Sequence, residues 1–174
     1  MKEIKKISGS ICSFAGILSV IILTFFDQFT KYLAVTYLKD HEPMVLISHI
    51  LELKYLENKG IAFGMLQGKI VLFLTVCILF LAAALYAYIR IPKTNYYLPL
   101  MLTGFLIISG AVGNSIDRFF RGYVVDFIYV SWIDFPIFNV ADIYVVCGGI
   151  LLVILAAFYY KDDDFTFLSL KKRG

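Results

Sequence analysis

The chain has 174 residues, of which 60% are hydrophobic and 17% charged, with a formal net charge of +3 and a mean hydropathy of +0.82. An ordinary domain carries roughly 45–50% apolar residues, and one this small keeps most of its residues near the surface. Disorder, a disulfide-rich scaffold and a water-soluble enzyme are excluded, and lipid must solvate much of the chain. A charge of +3 gives no argument for nucleic acid as a partner.

Ile7 to Phe26 is a run of 20 residues without a charge. It follows a basic start (Lys2, Lys5, Lys6), but it exceeds the apolar core of a cleaved leader. No small-x-small site precedes Asp27, so a retained helix is expected. In the long connection that follows, Leu51, Leu53 and Tyr55 alternate with Glu52, Lys54 and Leu56. That period of two gives a strand-like face. With glycines at Gly60, Gly64 and Gly68, it predicts a short sheet or hairpin over about 42–68, resting on the membrane surface.

Ile70 to Ile89 is a second uncharged run of 20 residues, and Thr94 to Ile116 a third of 23. Pro99 falls in the first turns of the third, where a missing N–H costs least. Gly122 to Ile128 is strongly apolar for a connection and is expected to dip back against the membrane as a loop. Phe135 to Tyr160 is a fourth run of 26, broken only by Asp142. Each run crosses a hydrocarbon core of ~30 Å at ~1.5 Å per residue. The predicted fold is a single all-α membrane domain over residues 1–174, with four transmembrane helices at about 7–26, 70–89, 94–116 and 135–160.

Orientation follows from the basic residues near the helix ends. The amino-terminal segment, the 90–93 connection and the carboxy-terminal tail hold nine lysines and arginines in short stretches. The other side holds seven across 61 residues, diluted by eight acids. Both termini are therefore expected in the cytoplasm. The tail from Lys161, with Asp162, Asp163 and Asp164, reads as a solvated end.

The expensive residues share one end. Asp27 and Lys31 stand at i, i+4 and can pair on a helix face. Asn114, Asp117 and Arg118 close the third span on one face, and Asn139 and Asp142 open the fourth. Given the alternating helix directions, all seven gather at the external end of the bundle. A carboxylate at membrane depth, such as Asp142, normally faces the protein interior with a partner. Asp126 is joined to Asp142 by a short connection that can fold one over the other. Two carboxylates at hydrogen-bond range in a low-dielectric site share one proton. One can then take a proton from water while the other gives one to a carbonyl or a leaving amine.

Other chemistries find less support. Cys12, Cys77 and Cys147 lie inside apolar runs with no metal or disulfide spacing. His41 and His49 have no third ligand, so neither a metal nor a cofactor is expected. No HExxH, P-loop or GxGxxG occurs. A proton-coupled transporter would want polar residues along a whole pore, and the inner halves of the spans are almost wholly apolar.

Five segments carry a resemblance. Phe26-Asp27-Gln28-Phe29-Thr30-Lys31, Asn58-Lys59-Gly60-Ile61-Ala62-Phe63-Gly64 and Gly110-Ala111-Val112-Gly113-Asn114-Ser115-Ile116-Asp117-Arg118 are the first three. Val124-Val125-Asp126-Phe127 and Phe135-Pro136-Ile137-Phe138-Asn139-Val140-Ala141-Asp142 complete the set. In this order they resemble the boxes of the bacterial lipoprotein signal peptidases (signal peptidase II). The resemblance implies an inner-membrane aspartyl endopeptidase that cuts prolipoproteins just before a diacylglyceryl-modified cysteine. It implies Asp126 and Asp142 as the catalytic dyad, and Asn58, Asn114, Arg118 and Asn139 as residues lining the substrate or inhibitor site. Asp27, Lys31, Gly60 and Asp117 match supporting positions, and the strand-like segment matches an extracytoplasmic β-cradle. A lipidated prolipoprotein, membrane lipids and peptide antibiotics that inhibit the family are the partners it implies.

Overall fold

In hydrocarbon every backbone N–H and C=O must be satisfied within the chain, so long uncharged runs close into helices. The computed structural model describes residues 4–60 and 70–169. Lys2, Gly64, Gly68, the Ile61-Ala62-Phe63-Gly64 part of the second box and the basic residues at 171–173 lie outside them. Among the described residues four helices are long and apolar enough to cross a membrane. They are α1 (Gly9–Tyr37), α2 (Ile70–Arg90), α3 (Leu98–Arg121) and α4 (Val140–Ile154). The last continues through a single π turn, Leu155–Tyr159.

The helix ends differ from those the charges suggest, for identifiable reasons. α1 does not stop at Phe26, because Asp27 and Lys31 neutralise each other at 2.9 Å with both side chains fully buried. α3 runs past its polar residues to Arg121 and is stopped by Gly122, whose φ of 80° supplies a left-handed cap. α4 begins at Val140 and not at Phe135. Pro136 disfavours helix at the residue before it, and Phe138 is taken up in an extended bridge to Ile128. Asn139 then caps the helix. Asp142 therefore sits in the first turn of α4 rather than two turns along a longer helix.

A three-stranded antiparallel sheet lies beside the ends of α1 and α3. Its strands β1 (Met44–Ile47), β2 (Leu51–Asn58) and β3 (Val124–Tyr129) are ordered β1-β2-β3. The strand-like stretch supplies β2, with Leu53 and Tyr55 packed inward and Lys54 exposed. The Gly122–Ile128 stretch is a correction: it is mostly strand, not loop. Its run of β-branched and aromatic residues favours a pleated, buried conformation. Val124, Val125, Asp126 and Phe127 are all buried. Val125 and Phe127 form a small core with Ala34 and Leu38, so the last turns of α1 are the post on which the sheet leans. β2 and β3 are registered so that Asp126 lies opposite Leu56, and Asn58 opposite Val124.

α3 is the centre of the bundle, packed on α1, α2 and α4. Its glycines let the neighbours close in. A Cβ on Gly110 would lie 2.4 Å from the Ala141 carbonyl oxygen, and one on Gly113 2.5 Å from a carboxylate oxygen of Asp27. At the other end the tail is not simply solvated. Asp162–Leu168 forms a 3-10 helix, and the Asp164 carboxylate accepts from the Tyr96 hydroxyl at 2.8 Å and the Lys161 amide at 2.8 Å. Tyr97 donates to the Asp164 carbonyl at 2.8 Å, and Arg90 donates to the Phe167 and Ser169 carbonyls.

Candidate active site

The polar residues of five elements, α1, β2, α3, β3 and α4, meet at the sheet end of the bundle. Lys31 on α1 is the hub. Its ammonium lies 2.9 Å from Asp27 and 3.1 Å from Asp117, and it donates to the Asn114 side-chain carbonyl at 2.8 Å. Three donors and no acceptor suit an ammonium to this three-way contact. The carboxylates face outward from the hub. Asp27 accepts from the Ala141 amide at 2.9 Å, fixing the start of α4, and Asp117 accepts from the Val125 amide at 3.1 Å, fixing β3. The other oxygen of Asp117 accepts no hydrogen bond and is paired with Arg121 at 3.3 Å, so every buried charge here has an opposite charge beside it, the condition under which burial is tolerated. The cluster thus ties α1 to both elements that carry the remaining acids.

Asp126 and Asp142 sit around Asn139, which is fully buried. The Asn139 side-chain nitrogen Nδ2 donates to Asp126 Oδ1 at 2.6 Å and to the Asn114 side-chain oxygen at 3.2 Å. Asn139 and Asp142 form a reciprocal capping box: the Asp142 amide donates to the Asn139 side chain at 3.0 Å, and the Asn139 amide to the Asp142 carboxylate at 3.2 Å. Asn114 donates to the other oxygen of Asp142 at 2.8 Å, and Asn58 donates to the second oxygen of Asp126 at 2.8 Å. The two carboxylates are therefore linked through Asn139 and Asn114. Their burial differs. Asp126 is 1% exposed, whereas Asp142 is only partly buried. Burial pushes the Asp126 carboxyl up to about 6, with the neighbouring Asp142 charge adding to the effect and the Asn58 and Asn139 bonds opposing it.

Asp142 faces a cavity of about 390 Å³ between α2, α3 and α4. Asn114, Ser115 and Arg118 line its polar side, and Phe73, Val76 and Val146 its apolar side. The Arg118 guanidinium stacks over Phe73 at 4.7 Å and donates to the Gly60 carbonyl at 3.3 Å. Gly60 in turn donates to the Asn58 side chain at 3.0 Å, which orients the amide that holds Asp126. Among the described residues no group of histidines, cysteines and acids could hold a metal ion.

A model of a membrane peptidase family, described as signal peptidase (SPase) II, matches residues 19–158. The chain belongs to the signal peptidase II family. It is 43% identical over 144 residues to the lipoprotein signal peptidase of Caldanaerobacter subterraneus subsp. tengcongensis, covering 82% of this chain and 96% of the relative. It is 40% identical over 149 residues to that of Streptococcus pyogenes serotype M5, covering 86% and 95%. Two solved structures described as bacterial membrane enzymes superpose with TM-scores of 0.74 and 0.75, at 38% and 36% identity. They cover 80% and 84% of this chain, and 85% and 94% of theirs.

All the residues singled out in the sequence as a candidate site come together here, in two layers. Asp27, Lys31 and Asp117 form the buried ionic hub; Asn58, Gly60, Asn114, Arg118 and Asn139 surround Asp126 and Asp142. Sequence reasoning missed Gln28, which donates to Asp27 at 3.1 Å and to the Gly113 carbonyl at 3.0 Å. One glutamine inside a helix face carries no spacing signal. It also missed the amides of Ala141 and Val125, which belong to no side-chain pattern.

Proposed function

We propose that the chain removes signal peptides from prolipoproteins as an aspartic endopeptidase, with Asp126 and Asp142 as its dyad, cutting before a cysteine that carries diacylglycerol. The observation that carries this is the fully buried Asn139, which touches both carboxylates, Asp126 through its side chain and Asp142 through its backbone amide, and so holds the buried acid beside the one that lines the cavity. One ionised carboxylate takes a proton from water, and the water oxygen attacks the scissile carbonyl carbon. The other, protonated, gives its proton to the carbonyl oxygen. As the tetrahedral intermediate collapses, a proton passes to the cysteine nitrogen, which leaves as the amine. Asn58, Asn114 and Asn139 hold the carboxylates in geometry. Arg118 offers its forked donors to a substrate carbonyl, and the Asp27–Lys31–Asp117 hub with Gly60 supports the frame.

The density of basic residues supports cytoplasmic termini and a site facing the outer side. On that reading the sheet forms the extracytoplasmic cradle, and a lipid-bearing substrate enters sideways from the bilayer. Peptide antibiotics that mimic the substrate backbone would compete for the same asparagines.

The test is a gel-shift assay with purified protein in detergent and a diacylglyceryl-modified prolipoprotein. Wild type cleaves only the lipidated precursor, and Asp126→Asn and Asp142→Asn each fall by about a thousandfold or more, as removal of a group acting in a unit does. Substantial cleavage by either variant overturns the dyad.

A further inference from the structure

A second cavity, of about 280 Å³, lies between α2, α3 and α4 toward the end of the bundle opposite the acids. Its roof is Phe165, Phe167 and Leu168 of the C-terminal 3-10 helix. Among the described residues Thr103 and Tyr88 are its only polar side chains, and the Tyr88 hydroxyl is paired with Ser13 at 3.1 Å. Phe80 and Ile107 line both this cavity and the one that Asp142 faces, so the two are neighbouring chambers that share a wall of α2 and α3. Leu152 in the second chamber is ten residues beyond Asp142 on α4, about 15 Å along the axis. The wall is also unfilled: a Cβ added to Gly104, another lining residue, meets nothing within 4 Å.

The chemistry of the chamber selects its occupant. A peptide backbone that is not helical would bring N–H and C=O groups into a wall with almost nothing to bond them. A helical segment is about 10 Å across with its side chains, too wide for a space of 280 Å³. An unbranched alkyl chain needs neither partners nor width. We propose that the inner chamber receives the end of one acyl chain of the substrate's diacylglyceryl group, and that Gly104 and the C-terminal roof set the chain length the enzyme prefers. This rests on the reading of the chain as a lipoprotein signal peptidase and specifies which part of the substrate the inner chamber measures, the acyl chain reaching it past Phe80 and Ile107.

The experiment compares two synthetic prolipoprotein peptides that differ only in their S-diacylglyceryl group, dioctanoyl and dipalmitoyl. The proteins are wild type, Gly104→Phe to fill the chamber, and Phe167→Ala to deepen it. Wild type prefers dipalmitoyl. Gly104→Phe lowers the dipalmitoyl-to-dioctanoyl ratio of kcat/KM by about tenfold or more, since each misplaced methylene in an apolar pocket discriminates on that scale. Its dioctanoyl rate is unchanged, which also shows that the variant folds. Phe167→Ala moves the ratio the other way when a distearoyl peptide replaces dipalmitoyl. A ratio that stays at the wild-type value in both variants, whether the two rates hold or fall together, overturns the proposal. Failure of wild type on both peptides would instead count against the peptidase reading.

Discussion

The two ends of this bundle are held together by opposite means. At the sheet end a lysine, four aspartates and three asparagines are stitched by bonds of 2.6–3.2 Å, and their geometry is set by direction. At the other end Tyr96, Tyr97, Tyr159 and Tyr160 pack edge-to-face and stacked with centroids 4.8–5.6 Å apart, and a short helix closes a chamber walled by hydrocarbon. Aromatic packing tolerates small displacements, whereas a buried ion loses its compensation when one partner moves. The polar end is thus built for position and the aromatic end for adjustable volume. Substitutions at the two ends should differ in kind as well as in size.

The largest expected effect is the loss of cleavage in Asp126→Asn and Asp142→Asn, with the fold retained; a melting curve beside the gel-shift assay checks both. Next is Lys31→Met, which strips the buried Asp27 of its cation and leaves Asp117 with Arg121 alone, at 3.3 Å, and costs about 3–5 kcal/mol. Thermal unfolding in detergent measures it, and a loss as small as that of a surface lysine would break the contrast between the ends. Gly113→Ala forces the Asp27 carboxylate to move and costs about 1–3 kcal/mol, as overpacking does. At the aromatic end Tyr97→Phe removes one hydrogen bond to the Asp164 carbonyl and costs about 1 kcal/mol, leaving dyad chemistry intact.

The pH dependence sharpens the same comparison. The Asp126 carboxyl is held at about 6, mainly by burial. A raised carboxyl favours the protonated form in the fold, so its contribution to stability is present at low pH and is lost as pH rises through the folded value. Activity needing one proton on the pair falls in the same direction, so kcat/KM declines as pH rises through a value at or above about 6. Asn58 donates to the ionised form and lowers that value. Asn58→Ala therefore moves the alkaline limb upward, and a limb that stays put or moves downward argues against Asp126 as the titrating member. Asp164, held down by its Lys161 amide and Tyr96 bonds, behaves oppositely: its support of the C-terminal helix is present above the ordinary carboxyl range and is lost as pH falls through its lowered value.

Much of this was legible in the residues because hydrocarbon is an unforgiving solvent. Uncharged runs had to be helices, and charged residues within reach of them had to find partners, which is why Asp27 and Lys31 could be paired from spacing alone. The misreadings share a cause. Length arguments treat a charge as the end of a span, yet the paired Asp27 and Lys31 let α1 continue to Tyr37. In the other direction, apolarity suggested helix at Phe135, where Pro136 and the bridge of Phe138 keep the chain extended. β3 was hidden because its pairing partner, β2, lies far away in sequence, and no local pattern announces a long-range partner. The chamber under Phe167 was invisible for the same reason, since a cavity belongs to the spaces between elements.

The extension of α1 has one more consequence. At 29 residues the helix is about 44 Å long, well beyond a hydrocarbon thickness of ~30 Å. Its far end carries the sheet, and the sheet carries Asp126. Bilayer thickness then becomes a control on chemistry: stretching or thinning the membrane tilts the post and raises or lowers the acid relative to a substrate whose own depth is fixed by its lipid. The enzyme should therefore work best in membranes of one thickness and slow on either side of it.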